Sequence, residues 1–109
     1  MKLKLFPLNL VALPYKIIPL HIFEERYKKM IKDCIDKKKE FGIIYQNKDT
    51  QSKIGCSVSI EKIINTYPDG RMDVVVKGSK IFKVQRQYLK QDLVMGDIVF
   101  MPESEPLDK

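Results

Sequence analysis

With 109 residues, 44% of them apolar and 31% charged, the chain has the size and composition of one ordinary globular domain, with no room for an ATPase beside it. Twenty bases against fourteen acids give a net charge of +6, spread along the chain with a mild basic excess at residues 68–90 and an acidic tail. No stretch approaches the roughly 18 apolar residues of a membrane span, and Pro7, Asn9, Pro14 and Lys16 interrupt the apolar amino terminus where a signal peptide would run on. A soluble, cytoplasmic protein with no membrane partner is expected. Cys34 and Cys56 match no metal or redox spacing and sit among apolar neighbours, so both are expected to be buried, reduced and structural.

Residues 2–8 alternate around Leu3, Leu5 and Leu8, which predicts a half-buried strand with an edge or bulge at Pro7. Pro14 ends a short extended connection, and Pro19 forces Ile18 towards extended geometry, so residues 16–20 read as a second extended piece. The stretch 19–39 then predicts the one long helix, over about residues 21–39. Phe23, Tyr27, Met30, Ile31, Cys34 and Ile35 form its apolar stripe, Glu24 and Glu25 its acidic first turn, and residues 37–39 its basic end. Its charges are expected to pair four apart along a solvated face, as Glu24–Lys28, Glu25–Lys29, Lys29–Asp33, Lys32–Asp36 and Asp33–Lys37.

Residues 41–46, FGIIYQ, predict a buried strand, and residues 47–53 a polar surface loop. From Ile54 the apolar residues fall on even positions up to Ile60, then shift to odd numbers at Ile63, which predicts a bulge or bend in one long strand ending near Tyr67. The sequence Tyr67-Pro68-Asp69-Gly70 predicts a tight turn. Residues 71–77 return as a strand, Gly78-Ser79 predicts another turn, and residues 80–87 form the next strand, with Phe82 and Val84 on one side. Residues 93–101 close the series, with a bulge expected at Gly96-Asp97. Six or seven mostly antiparallel strands and one helix make a mainly-β (α+β) chain that closes or half-closes into a small barrel.

Little in this pattern supports catalysis. His21 is the one histidine, at the expected helix start, where a capping or surface role fits better than ligation; neither cysteine stands near it in sequence. The five glycines are isolated and form no phosphate loop. No catalytic residue, metal ligand or cofactor is assigned. Lys77, Lys80, Lys83, Arg86 and Lys90 stand with Phe82 and Tyr88, a mixture that can grip nucleic acid, although alternation would send Lys83 and Arg86 to opposite faces.

Pro7-Leu8, Pro14, Pro19-Leu20 and the run Ile22-Phe23-Glu24-Glu25-Arg26-Tyr27 follow one another in an order that resembles the amino-terminal, substrate-binding domain of the ATP-dependent protease Lon. FGIIYQ, KIGCSVSIEKI, the Asp69-Gly70-Arg71 hairpin and Gly78 leading to Phe82-Lys83-Val84 extend the resemblance over roughly residues 3–101. Glu25 stands where relatives often have Pro, and the 47–53 loop is short. The resemblance implies a PUA-like pseudo-barrel, a single domain over residues 1–101, and a polar tail at 102–109 that would lead to a helical part in a longer protein. Neither the ATPase nor the Ser-Lys proteolytic module of the protease falls within the resemblance, so a non-catalytic module is expected. It would contact unfolded, partly folded or degradation-marked polypeptide, with self-association open as well. The expected surface is Phe6, Tyr15, Ile17 and Tyr67, because the first twenty residues hold more large apolar side chains than one short strand can bury. The alternative is an RNA-binding PUA-like domain using Lys77, Lys80, Lys83 and Arg86; a purely structural module is the third reading.

Overall fold

The computed structural model describes residues 1–102; part of the expected tail, residues 103–109, lies outside the described residues. The chain runs β1 (Lys2–Leu8), β2 (Ile17–Ile22), α1 (Glu25–Lys37), β3 (Phe41–Gln46), β4 (Gln51–Thr66), β5 (Met72–Lys90) and β6 (Leu93–Phe100). The strand order is β2-β5-β4-β3-β1-β6, and β5 also pairs with β6, so five strands close into a ring with β2 outside it. Among the described residues only β1 and β3 pair in parallel; every other ladder is antiparallel. Among the described residues this is a mainly-β pseudo-barrel with one helix.

Two apolar clusters follow from that closure. Leu3, Leu5, Ile44, Phe82, Val84 and Ile98 pack together within the ring. Phe6, Ile22, Tyr27, Met30, Ile31, Phe41, Val58, Val74 and Val76 form the second cluster, beneath α1. The ring is narrow, and glycine thins its wall: a Cβ at Gly42 or at Gly55 would lie 2.6 Å from Phe82 Cζ. Within β1, Leu5 and Phe6 are consecutive and both buried, because each face of that strand has its own core.

The helix buries Tyr27, Met30, Ile31 and Cys34, the i, i+3, i+4, i+7 stripe of an amphipathic helix. It is shorter than the sequence suggested. Pro19, Leu20, His21 and Ile22 belong to β2, paired with Val75, Val74, Asp73 and Met72. Proline is tolerated there because β2 is an edge strand. Glu24 is extended and its carbonyl accepts the Tyr27 and Lys28 amides, so the first turn begins after it. Phe23 therefore lies off the stripe and is 59% exposed. At the other end Lys38 adopts a left-handed conformation, φ 53°, and its amide closes the last turn on Ile35. Of the expected ladder of helical ion pairs, Asp33–Lys37 forms; Lys28 turns instead to Glu25 and to the Asp69 carbonyl.

Three other expectations change. Gly78-Ser79 is not a turn, since β5 runs unbroken for 19 residues. Its extra residue makes a bulge opposite Ser57, whose hydroxyl accepts the Lys80 amide at 3.1 Å. The irregularity expected at Gly96-Asp97 sits on the partner strand, at Gln85. The phase slip in β4 is present as two bulges, at Glu61 and Ile64, which keep Ile60 and Ile63 opposite Val76 and Val74. The loop after β3 is shorter than expected, because β4 starts at Gln51.

Two carboxylates tie the barrel together at its surface. Asp33 accepts from Lys4 at 2.5 Å and from Lys37, and these bonds lower its pKa to about 2. Asp73 accepts from Tyr67, His21 and Asn65, and its pKa is likewise lowered to about 2. A carboxyl titrates near 4 in the unfolded chain, so the stabilisation from both groups is present above about pH 4 and is lost as pH falls towards 2. The denaturation midpoint is expected to drop across that window, and the drop should be shallower in Asp33→Asn and Asp73→Asn. Equal slopes in wild type and variants would show that these bonds do not couple folding to protons.

Candidate functional site

Residues 9–16 lie between β1 and β2 and carry apolar side chains that alternate between core and solvent. Leu10 and Ala12 turn inward and pack on the helix-side core. Val11, Leu13 and Tyr15 are 66%, 47% and 71% exposed. The segment is pinned to the bulge in β5: the Tyr15 amide donates to the Gly78 carbonyl and the Gly78 amide to the Lys16 carbonyl, both at 2.9 Å. Lys16 also donates to the Leu13 carbonyl, closing a turn in which Tyr15 takes a positive φ of 69°. A left-handed tyrosine costs about 1–2 kcal/mol and persists only where its surroundings hold it. The ring is thus presented to solvent on a backbone with little freedom.

Two grooves border this segment. One, about 340 Å³, lies between Tyr15, Lys80, Ile81 and Met101. The other, about 260 Å³, lies between Val11, Leu13, Tyr45 and Ile54. Ile81 borders both, and the Met101 amide donates to its carbonyl, fixing the chain after β6 beside it. Ile54 and Met101 add exposed apolar surface. The arrangement offers apolar contact in two grooves along a ridge made by residues 9–16, with Lys80 at one rim. Among the described residues no cluster of three or more His, Cys, Asp or Glu could hold a metal ion, and no helix is long and apolar enough to cross a membrane.

The four residues expected at a polypeptide-binding surface separate. Tyr15 is on the ridge, and Ile17, 57% exposed, follows it at the start of β2. Tyr67 stands beyond the far end of β2, about 17 Å along the strand, half-buried with its hydroxyl on Asp73 and Arg71 over its ring. Phe6 offers no surface at all: it is 7% exposed and stacked on Tyr27 with ring centroids 4.0 Å apart, because α1 covers that face of β1. Val11, Leu13, Ile54 and Met101 are exposed apolar residues beside Tyr15 that reasoning from the sequence did not include. The alternation of Leu8, Leu10 and Ala12 against Val11, Leu13 and Tyr15 is the signal that could have found the first two.

His21, expected at a helix start, faces Asp73 across β2 and β5 with its Nδ1 2.6 Å from the carboxylate. Both cysteines are buried free thiols, and burial raises the pKa of each. The basic residues of β5 are strung out rather than gathered. Lys77 is half-buried beside Ile17 in the ladder, Lys80 lies over Phe100, and Arg86 is bonded to Asp97. The bulge at Gln85 brings Lys83 and Arg86 to the same face, opposite Val99 and Asp97, where alternation alone had put them on different ones.

The sequence profile of the ATP-dependent protease La (LON) substrate-binding domain matches residues 2–109. The crystal structure of a Lon N-terminal domain protein from Xanthomonas campestris is similar with a TM-score of 0.84 and 32% identity, over 95% of this chain and 62% of that one. The N-terminal domain of a Mycobacterium avium complex Lon protease shares the fold at a TM-score of 0.77 and 14% identity, over 99% of this chain and 59% of that one. The chain thus spans about three fifths of the length of either structure.

Proposed function

The chain belongs to the ATP-dependent protease La (LON) substrate-binding domain family, and from that premise we propose that it is a recognition module for unfolded or partly folded polypeptide. The ridge of residues 9–16 is its contact surface. The observation that carries this reading is the row of exposed apolar side chains, Val11, Leu13 and Tyr15, on a backbone bonded to Gly78. Single exposed apolar residues are ordinary, but a contiguous set flanked by grooves marks an interaction site. Extended polypeptide suits it, because alternate side chains of a strand-like segment can enter the two grooves while the next residues stay in solvent. Ile17 extends the same surface. The binding step needs no covalent chemistry, only removal of apolar area from water, at roughly 25 cal/mol per Å². A cytoplasmic setting fits the two free thiols.

The test is titration of a fluorescent, reduced and alkylated globular protein, followed by anisotropy. Wild-type chain is expected to bind in the micromolar range. Val11→Asp and Leu13→Asp each place a charge on the ridge and should weaken binding at least about tenfold. Their melting temperatures should stay within a few degrees of wild type, since neither side chain is in the core. Leu89→Asp, on an exposed position of β5 away from the ridge, serves as the control and should bind normally. No affinity at tens of micromolar, or equal loss in the control, would remove the ridge from consideration.

A further inference from the structure

A second surface gathers charge that no single stretch of sequence displays. Between α1, β1 and the β5–β6 connection lies a cleft of about 690 Å³ whose lining holds five bases, Lys4, Arg26, Lys29, Lys37 and Lys90, against two acids, Asp33 and Asp92. Asp33 is already held by Lys4 and Lys37. Arg26 donates to the Asp92 carbonyl at 3.0 Å, which fixes the helix against the Gln91-Asp92 connection. Both connection residues have positive φ, 52° and 67°, the geometry of a two-residue hairpin that matches strand twist. Lys29 and Lys90 have no acidic partner among the described residues. The cleft also has apolar lining, from Met30, Leu93 and Met95.

We propose that this cleft binds an acidic segment of a polypeptide, with carboxylates paired to Lys29 and Lys90 and an apolar side chain seated on Leu93 and Met95. Charge complementarity selects the occupant: a net positive cleft on a chain of charge +6 draws anions. The lining also separates peptide from nucleic acid. No lining residue is aromatic, so the cleft offers no face on which bases could stack. Asp33 and Asp92 interrupt the positive field that a continuous phosphate backbone would follow, whereas a peptide can place neutral or apolar residues beside them. The site is distinct from the ridge, for the two linings share no residue.

The experiment is anisotropy with a short fluorescent peptide of glutamates around a single Leu, which carries too little apolar surface to occupy the ridge, against its Gln-Leu analogue with every Glu replaced by Gln and a single-stranded RNA oligomer of the same charge. Wild type is expected to bind the Glu-Leu peptide, to lose affinity at moderate salt as partly exposed charges are screened, and to bind the Gln-Leu analogue at least about tenfold more weakly. The double variant Lys29→Glu/Lys90→Glu should weaken the Glu-Leu peptide by at least about tenfold with an unchanged melting curve, while Leu13→Asp binds it as wild type does. Four results would overturn the proposal: equal affinity for the two peptides, an unaffected double variant, loss of the acidic peptide in Leu13→Asp, or tighter binding of the RNA through the same two lysines. Because Leu13→Asp and the double variant report on different surfaces, failure of the cleft is distinguishable from failure of the ridge.

Discussion

Phe82→Ala is expected to destabilise the chain by about 3–5 kcal/mol, the upper part of the range for large-to-small changes in a core. Phe82 has no solvent exposure, and its ring tip stands where side chains at Gly42 and Gly55 would otherwise be. Those two sides of the cavity left by the alanine are therefore backbone of β3 and β4, which cannot collapse inward without breaking the ladders that close the ring. Little relaxation is available, so the full cavity cost applies. For a domain of about this size total stability is of the order of 5–15 kcal/mol, and the variant would sit near its unfolding threshold at physiological temperature. Urea titration measures the loss. A cost below about 1.5 kcal/mol would mean that the ring interior repacks, contrary to the glycine walls described above. The folded fraction should still bind unfolded polypeptide normally, because the ridge is built on residues 9–16 and not on the ring interior.

How much of this was legible in the sequence depends on which forces are local. Residues 2–8 and 41–46 show their strands through apolar content, and the stripe Tyr27, Met30, Ile31, Cys34 shows its helix through period. The phase slip near Ile63 announced real bulges. Failures occurred where a distant partner decides the outcome. Residues 19–22 have an edge-strand fate only because residues 72–75 lie beside them. Gly78 resembles a turn residue by propensity, yet it is glycine because another segment crosses it. Phe6 looked free because alternation puts it on the face opposite Leu3 and Leu5; two cores, one on each face of β1, cannot be seen from β1 alone. The same division holds for the sites. Tyr15 and Ile17 were visible as apolar excess, whereas Ile54, Ile81 and Met101 reach the ridge only through sheet closure. The basic segment of β5 was visible as a run, but the bases that converge are Lys90 with Lys4, Arg26 and Lys29, from three separate elements.

Gly78→Val, by contrast, is expected to strike the ridge while sparing the ring. A Cβ at Gly78 would stand 1.9 Å from the Leu13 carbonyl oxygen and 2.7 Å from its carbon. Both are backbone atoms, so no rotamer change relieves the overlap and residues 13–14 must lift. Lifting them strains or breaks the two hydrogen bonds joining Tyr15 and Lys16 to Gly78 and removes the support for the left-handed tyrosine. Two bonds at about 1 kcal/mol each, with the overpacking cost of about 1–3 kcal/mol, give a loss of about 3–5 kcal/mol. Hydrogen exchange locates it: the amides of Tyr15 and Gly78 should lose protection while those of β1 and β3 keep theirs. Polypeptide binding should weaken by at least about tenfold even at temperatures where the variant is fully folded, since a segment free to move must be ordered again on binding. Protection at Tyr15 equal to wild type would mean that the crossing tolerates a side chain and that the ridge is not held from Gly78. Taken with Phe82→Ala, this separates stability from recognition: one variant loses the barrel's interior and keeps the ridge, the other keeps the interior and loses the rigid presentation of Leu13 and Tyr15.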